Sequence, residues 1–517
     1  MSEYLMAHDL GTSSHKCSVF DGEGNVVASA SAVYPTHLWS GGEAEQDPVD
    51  WWNAVIRTSR QVLEKVDAGA IAAVAFGAHM MGVVAVGRDG RVLHPAIIHA
   101  DTRSAFMETD VFRRMDEHRF YAMTGNRLDS HYPLLKLLWL REQRPEVFRE
   151  TAYFLQAKDY LTYRMTGRLG LTDYSDASLT GLFDVRECRW SDDILDEFAI
   201  PRDKLPKIEP SSALVGGITA EAAAATGLNA GTPVVVGGGD GSCAALGAGA
   251  VREGDAYVYL GTTAWVSRTT AEPFIDAGRR VFNMCGPEAR TYNVLGTMQT
   301  AGAAYDWAVR TYAAKELADA DTGSGENGGA GSLYAAIENE IRKVPWGSNG
   351  LIFHPYLMGE RSPLWDKSVR GLFFGLEIGH SRFDMLHAVM EGISYGLRSI
   401  ADVLEQTAPI DRYMVIGGGM RSAAWRSVLS AALAKPIAVP AQTGEATSLG
   451  AAMSAGIAAG WYADYADAAS KLRREMRVVL PDAEGRAVYA EGYRVFRSLY
   501  GRLKDEYERL ERLKRPI

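Results

Sequence analysis

Two short segments half a chain apart restrict what this sequence can fold into. Asp9-Leu10-Gly11-Thr12-Ser13-Ser14-His15-Lys16 and Tyr259-Leu260-Gly261-Thr262-Thr263-Ala264-Trp265 each hold a Gly-Thr-[Ser/Thr] turn between apolar, β-rich runs. Runs 4–7 and 17–20 flank the first turn, and runs 256–259 and 265–267 flank the second, so the pattern predicts two tight hairpins. Such a turn aims backbone N–H groups and hydroxyls at one point, which suits phosphate. One Leu-Gly-Thr turn is common and says little alone. Two of them predict related halves that grip one polyphosphate from opposite sides.

Two carboxylates strengthen that expectation. Asp9 opens the first turn, and Asp240 follows the run Val234-Val235-Val236-Gly237-Gly238-Gly239. Strand, glycine turn, Asp240, then an Ala/Gly-rich helix over 243–250 puts a carboxylate at a helix N-terminus in a cleft. An ordinary N-cap role for Asp240 is expected as well.

A chain of 517 residues is too long for one core and predicts two sizeable domains, 1–250 and 251–517. Its net charge of −10 disfavours nucleic acid and anionic membrane surfaces as partners. Residues 502–515 mix both signs at helical spacing, as a solvated helix face does. Cys17, Cys188, Cys243 and Cys285 are scattered without a C-x-x-C, so buried thiols are expected rather than zinc or disulfides. No signal peptide or bilayer-length apolar run is evident, and a cytoplasmic protein is expected.

Asp21-Gly22 and Asp89-Gly90 mark hairpin turns, and Asp47-Pro48 supplies an N-cap and an N1 proline for a helix over 49–66. Its stripe of Trp52, Val55, Ser59, Val62 and Val66 faces a core. A strand over 71–76 and helices over 133–141 and 158–166 follow, which indicates α/β layering. The second half repeats the scheme: a helix over 301–315, another over 383–407, a strand over 413–416 and then Gly417-Gly418-Gly419. Residues 321–332 read as a glycine-rich surface loop, and the tail after Gly485 as one long helix. There is no Gly-Lys dipeptide for a Walker A loop, no H-E-x-x-H, and neither glycine triplet spells G-x-G-x-x-G.

Along 9–460 the sequence resembles the FGGY carbohydrate kinases, nearest to the xylulokinase branch. The resemblance rests on the opening phosphate motif, Glu45-Gln46-Asp47-Pro48 with Trp51-Trp52, Asp101-Thr102-Arg103-Ser104, Pro133-Leu134-Leu135-Lys136-Leu137-Leu138-Trp139 and Asp173-Tyr174-Ser175-Asp176. It continues through Gly239-Asp240, Gly261-Thr262-Thr263, Gly359-Glu360-Arg361-Ser362-Pro363, the stretch 371–391, Gly417-Gly418-Gly419 and 445–452. It implies a two-domain actin-like ATPase (ribonuclease H-like) fold with an inter-domain cleft, ATP and Mg²⁺ as cofactors, a sugar or polyol as substrate, and a homodimer as a possible assembly. It further implies Asp240 as catalytic base and Asp9 as metal ligand. Thr12, Ser13, Lys16, Gly261, Thr262, Thr263, Gly418 and Gly419 would hold the nucleotide.

The sugar pocket is expected from His79, Met80, Met81, Asp101, Arg103, His131, Trp265 and Asp240. Here the sequence departs from the branch. Xylulokinases carry Gln-Met-His-Gly where this chain has His79-Met80-Met81-Gly82, so both hydrogen-bonding side chains differ. His131 and Trp265 resemble sugar-pocket positions of glycerol kinases. Core filling by the methionines and a satisfied surface role for His131 are the plainer alternatives.

Overall fold

The computed structural model describes residues 3–313, 330–441, 444–472 and 475–513. The chain forms two compact units, each drawn from three stretches. The first is Met1–Glu253, Thr269–Val294 and Glu445–Arg474; the second is Gly254–Arg268, Leu295–Gly444 and Glu475–Ile517.

The first unit is built on a mixed sheet ordered Leu214–Gly217, Pro233–Val235, Ile71–Ala78, Tyr4–Leu10, Ser14–Phe20 and Val26–Val33. The three inner strands from Pro233–Val235 to Tyr4–Leu10 run parallel, and the outer pairs are antiparallel. Both faces are covered, so the inner strands are buried along nearly their whole length rather than on alternate residues. Helix Pro48–Leu63 covers one face, buries Trp51, Trp52, Val55 and Val62, and starts where Asp47 accepts the Val49 N–H. Helix Ala446–Ala458 covers the other and packs on helix Asp240–Ala248. The two backbones nearly touch: a Cβ on Gly247 would lie 1.7 Å from the Ala446 carbonyl oxygen, and one on Gly450 1.9 Å from that of Cys243. Only glycine permits that approach.

The second unit repeats the pattern. Its strands run Ala264–Thr270, Ala256–Leu260, Tyr413–Ile416, Ile437–Pro440 and Met476–Val479. Again an antiparallel hairpin borders parallel inner strands, with an antiparallel strand on the far side. Both Gly-Thr turns therefore occupy the same topological position in their own sheets, as the paired motifs led us to expect. Helix Arg382–Leu404 and the tail helix Ala483–Glu511 complete this unit. Among the described residues no helix is long and apolar enough to cross a membrane.

Several expectations change in detail. The helix expected over 49–66 is Pro48–Leu63, that over 301–315 is Gly302–Tyr312, and that over 383–407 is Arg382–Leu404. The helix expected over 243–250 is Asp240–Ala248, with Gly239 as its N-cap. Asp240 is thus the first helical residue and not the cap, because its own backbone has already turned helical. Of the expected glycine-rich loop, 321–329 lies outside the described residues, while 330–332 opens helix Ala330–Ile341.

Candidate active site

Strand register brings the two carboxylates of the first unit together. Asp9 sits opposite Gly77 on the parallel neighbour, and Gly77 sits opposite Gly238. Asp240 follows two residues later, so both acids rise from the carboxyl ends of parallel strands that flank Ile71–Ala78 on either side, where open α/β sheets place ligands. Burial pushes the Asp240 carboxyl up to about 6, opposed by the Gly241 N–H that it accepts. The Asp9 carboxyl is pushed up to about 7 by burial and then by the charge of Asp240, with Lys16 pulling it down and Glu445 raising it. Two acids that disfavour each other's charge form a site suited to a cation or a hydroxyl proton.

The backbone beneath Asp240 is anchored by a buried polar chain. The Gly239 N–H donates to Ser175 Oγ at 2.9 Å. Ser175 Oγ in turn donates to Asp173 Oδ2 at 2.6 Å, and Lys158 Nζ lies 3.0 Å from Asp173 Oδ1. Lys158 is also paired with Asp159 and Asp176, and all four side chains are buried. Met80 packs over this backbone: a Cβ on Gly239 would lie 2.5 Å from its sulfur.

The first hairpin turn is held from below. Gln46 Nε2 donates to the Thr12 carbonyl at 2.6 Å and its Oε1 accepts Trp51 Nε1 at 3.0 Å. Thr12 and Ser13 remain exposed. Lys16 Nζ lies 3.2 Å from Glu445, which also accepts Ser18 Oγ at 2.9 Å. Segment 445–452 thus begins beside the first Gly-Thr turn, in the first unit.

The expected sugar residues divide into groups. His79 is buried, with its carboxyl-side neighbours Met80 and Met81 following the end of strand Ile71–Ala78. Neither His79 ring nitrogen has a hydrogen-bond partner among the described residues, and burial, with Lys136 nearby, holds the imidazole down at about 4. Met81 takes a left-handed conformation, φ 65°. Its carbonyl accepts Lys136 Nζ at 2.7 Å, and the same ammonium reaches the His131 carbonyl at 2.7 Å. Buried Lys136 therefore clamps two of the expected segments, and burial lowers it to about 7 against the pull of Asp101 and Asp129. His131 Nδ1 lies 2.8 Å from Asp129. Asp101 and Arg103 are spent mainly on each other: Arg103 reaches Asp101 at 2.7 Å and Glu45 at 2.8 Å, and its guanidinium lies over Trp139.

In the second unit the turn at Gly261–Thr263 is seated on a helix N-terminus. The N–H groups of Ala301 and Ala303 donate to the Thr262 carbonyl at 3.1 and 3.0 Å, and that of Gly302 to the Gly261 carbonyl at 2.9 Å. Beside it opens a cavity of about 790 Å³, walled by Gly261, Thr262, Tyr305, Gly418, Gly419 and Trp425 among others. Tyr305 and Trp425 stand with ring centroids 5.0 Å apart. Gly418 faces open space, whereas a Cβ on Gly419 would lie 2.8 Å from the Leu260 side chain. Trp265 stacks on Tyr259, another wall residue, at 4.0 Å and donates to Tyr257 Oη at 2.9 Å. The size and the mix of glycine backbone, hydroxyl and aromatic faces suit a nucleotide.

Glu360 of this unit is buried, its Oε1 accepting the N–H groups of Gln299 and Arg361, and burial pushes it up to about 8. The folded state therefore holds this proton more tightly than the unfolded chain does. Its stability contribution is full below the unfolded value near 4.5 and is lost as pH rises towards 8. Glu360→Gln lacks that slope. The stability difference, variant minus wild type, is expected to rise from about pH 5 to about pH 8 by up to about 1.4 kcal/mol per unit. Urea titrations at several pH values check this, and a flat difference would mean that Glu360 ionises normally.

The N-terminal-domain model of the FGGY family of carbohydrate kinases matches residues 4–247, and the C-terminal-domain model matches 256–459. The xylulose kinase of Bacillus subtilis is 30% identical over 506 residues, covering 97% of this chain and 98% of its own. The chain belongs to the FGGY family of carbohydrate kinases. The kinase is also 30% identical to the gluconokinase of Bacillus subtilis, over 87% of this chain and 86% of that one. The crystal structure of a ligand-bound xylulose kinase from Lactobacillus acidophilus superposes with a TM-score of 0.89 at 28% identity, covering 98% of this chain and 99% of that one. The fold is accordingly the actin-like ATPase fold of the sugar kinases, and ATP use follows from the family.

Reading the sequence did not single out Lys158, Ser175, Tyr305 or Trp425 as individual site residues. Asp173 and Ser175 stood within a family motif, but only the fold shows that their hydrogen bonds reach Gly239. Tyr305 and Trp425 come from separate helices, Gly302–Tyr312 and Ala423–Leu433, and carry no local signal.

Proposed function

We propose that this kinase transfers the γ-phosphoryl group of ATP to a primary hydroxyl of a ketopentose of the xylulose type, with Asp240 as general base. The observation that carries the reading is the placing of Asp240 and Asp9 at the carboxyl ends of the two parallel strands that flank Ile71–Ala78. A sugar hydroxyl is too weak an acid to ionise unaided, and a carboxylate with raised proton affinity suits the task of accepting its proton. The loose transition state of phosphoryl transfer needs alignment and charge neutralisation above all. Thr12, Ser13, Thr262 and Thr263 would donate to the phosphates, and Lys16 would add positive charge. Gly418 and Gly419 would let backbone lie close to the nucleoside, with Tyr305 and Trp425 as apolar faces. Residues 1–250 would thus serve the sugar and the first phosphate turn, and 251–517 the rest of the nucleotide.

Mg²⁺ fits this site, because Asp9 and Asp240 oppose each other's ionisation and a cation relieves that. No group of three or more His, Cys, Asp or Glu side chains among the described residues is placed to hold a metal without other ligands. Asp9 would hold the ion together with ATP oxygens, and when bound it neutralises phosphate charge.

His79, with both ring nitrogens unpartnered, is the residue best suited to take a sugar hydroxyl; Met80 and Met81 would line the pocket. Asp101 and Arg103 would act chiefly by shaping it, alongside His131 and Trp265. A sugar acid such as gluconate is the second reading, favoured by equal identity to a gluconokinase. Methionine cannot donate and accepts weakly, so wild type should use D-xylulose less well than a related ketose, polyol or sugar acid. Met81→His should raise relative activity on D-xylulose. The check is kcat/KM of both proteins over a panel of ketoses, polyols and sugar acids; strong wild-type preference for D-xylulose, unchanged by the histidine, would remove Met81 from specificity. Thr262→Val tests the phosphate turn. It should weaken ATP binding or slow turnover by about 1 to 3 kcal/mol, read by nucleotide titration and steady-state rates. Wild-type values in both would make the hydroxyl structural.

A further inference from the structure

The fold brings together two cysteines that the sequence keeps apart. Cys188 occupies the turn between strands Phe183–Asp184 and Arg189–Trp190, and Cys285 ends strand Phe282–Cys285. Although 97 positions separate them, their sulfurs lie 3.7 Å apart. Both residues belong to the first unit. All four cysteines are free thiols as expected, but these two are brought together rather than left scattered. Cys17 and Cys243 stay buried in the core beside apolar neighbours. Cys188 differs from all three others in being only half-buried.

We infer that Cys188 and Cys285 form a peroxide-responsive dithiol, which closes reversibly to an intramolecular disulfide. A disulfide needs its sulfurs at about 2.0 Å, so closure from the present separation takes a small approach by the two side chains. The surroundings also favour the first chemical step. The Cys285 thiol and then the Tyr292 hydroxyl, 3.2 Å from the Cys188 sulfur, hydrogen-bond it. These bonds lower the Cys188 thiol despite its partial burial, which favours the thiolate that peroxide attack requires. Cys285 is fully buried and its thiol is raised, as suits a resolving partner that reacts second.

The step balances with hydrogen peroxide as oxidant. The Cys188 thiolate attacks one peroxide oxygen, the O–O bond breaks, and the departing hydroxide takes a proton to leave as water. Cys188 is then a sulfenic acid. The Cys285 sulfur attacks the Cys188 sulfur, the S–O bond breaks, and the hydroxyl leaves as a second water with the Cys285 proton. Two thiols are oxidised and one peroxide is reduced to two waters. The bond would form one residue from Met284, which packs against Gly241 beside Asp240. The Cys285 N–H also donates to Ser178 Oγ at 3.0 Å, on the short helix Tyr174–Ser178 that carries Ser175.

The test treats the full-length kinase with hydrogen peroxide and compares intact mass, free-thiol count and a non-reduced peptide digest. Free thiols are expected to fall from four to two. The mass should drop by two hydrogens, the Cys188 and Cys285 peptides should be joined, and dithiothreitol should restore all three readouts. Cys285→Ser should halt at a sulfenic acid on Cys188 that dimedone captures, while Cys188→Ser should leave Cys285 unmodified. Wild-type peptides that stay unlinked, a link through Cys17 or Cys243, or loss of two hydrogens in the Cys188→Ser variant would overturn the proposal. These readouts need no sugar or nucleotide, so they stand apart from the assigned substrate.

Discussion

Asp240→Asn is expected to lower turnover by about 10² to 10⁴ while ATP binding survives. Asparagine keeps the size and one acceptor for the Gly241 N–H, so the helix start should persist. What it removes is the proposed proton sink for the attacking hydroxyl. It also removes one of the two charges that raise each other's proton affinity, so the Asp9 carboxyl should titrate lower in the variant. Steady-state rates with ATP titration in parallel separate these effects. Near-normal sugar phosphorylation by the variant would sink the assignment of the base.

Lys158→Met should be the most damaging single change to the framework under that base. It strands Asp159, Asp173 and Asp176 in the core without their shared cation. Removing one partner of a buried ionic group typically costs about 3 to 5 kcal/mol, since the remaining charges have no water to return to. Protonation relieves part of this: burial already raises Asp159 and Asp176, Lys158 opposes it, and the charge of Asp173 raises both. Because Asp173 orders Ser175, which accepts the Gly239 N–H, activity should fall alongside stability. Urea midpoints and kcat for Lys158→Met and Lys158→Arg read this out. A methionine variant as stable and active as wild type would show that the cluster contributes nothing net.

The parts of this fold that could be read from the sequence are those with a local cause. A Gly-Thr turn between apolar runs makes a hairpin, and Asp47-Pro48 starts a helix, wherever they occur. Helix ends moved by a few residues because capping is decided by backbone geometry; Asp240 entered its helix instead of capping it for that reason. The long-range contacts were not legible. Nothing local reveals that Lys158 sits among three aspartates, that Lys136 clamps Met81 to His131, or that Cys188 meets Cys285. Nor does composition reveal that 445–452 returns to the first unit beside Lys16. The family motifs pointed to candidate residues, and the sheet register supplied the reason that Asp9 and Asp240 stand on either side of Gly77.

The most direct test is a product analysis: ATP and Mg²⁺ incubated with each member of the ketose, polyol and sugar-acid panel, following ADP and phosphate esters together by mass spectrometry. One ester is expected per ADP, on a primary hydroxyl, with the yield collapsing in Asp240→Asn. ADP release at the same rate with and without any panel member, and no ester from any of them, would contradict it.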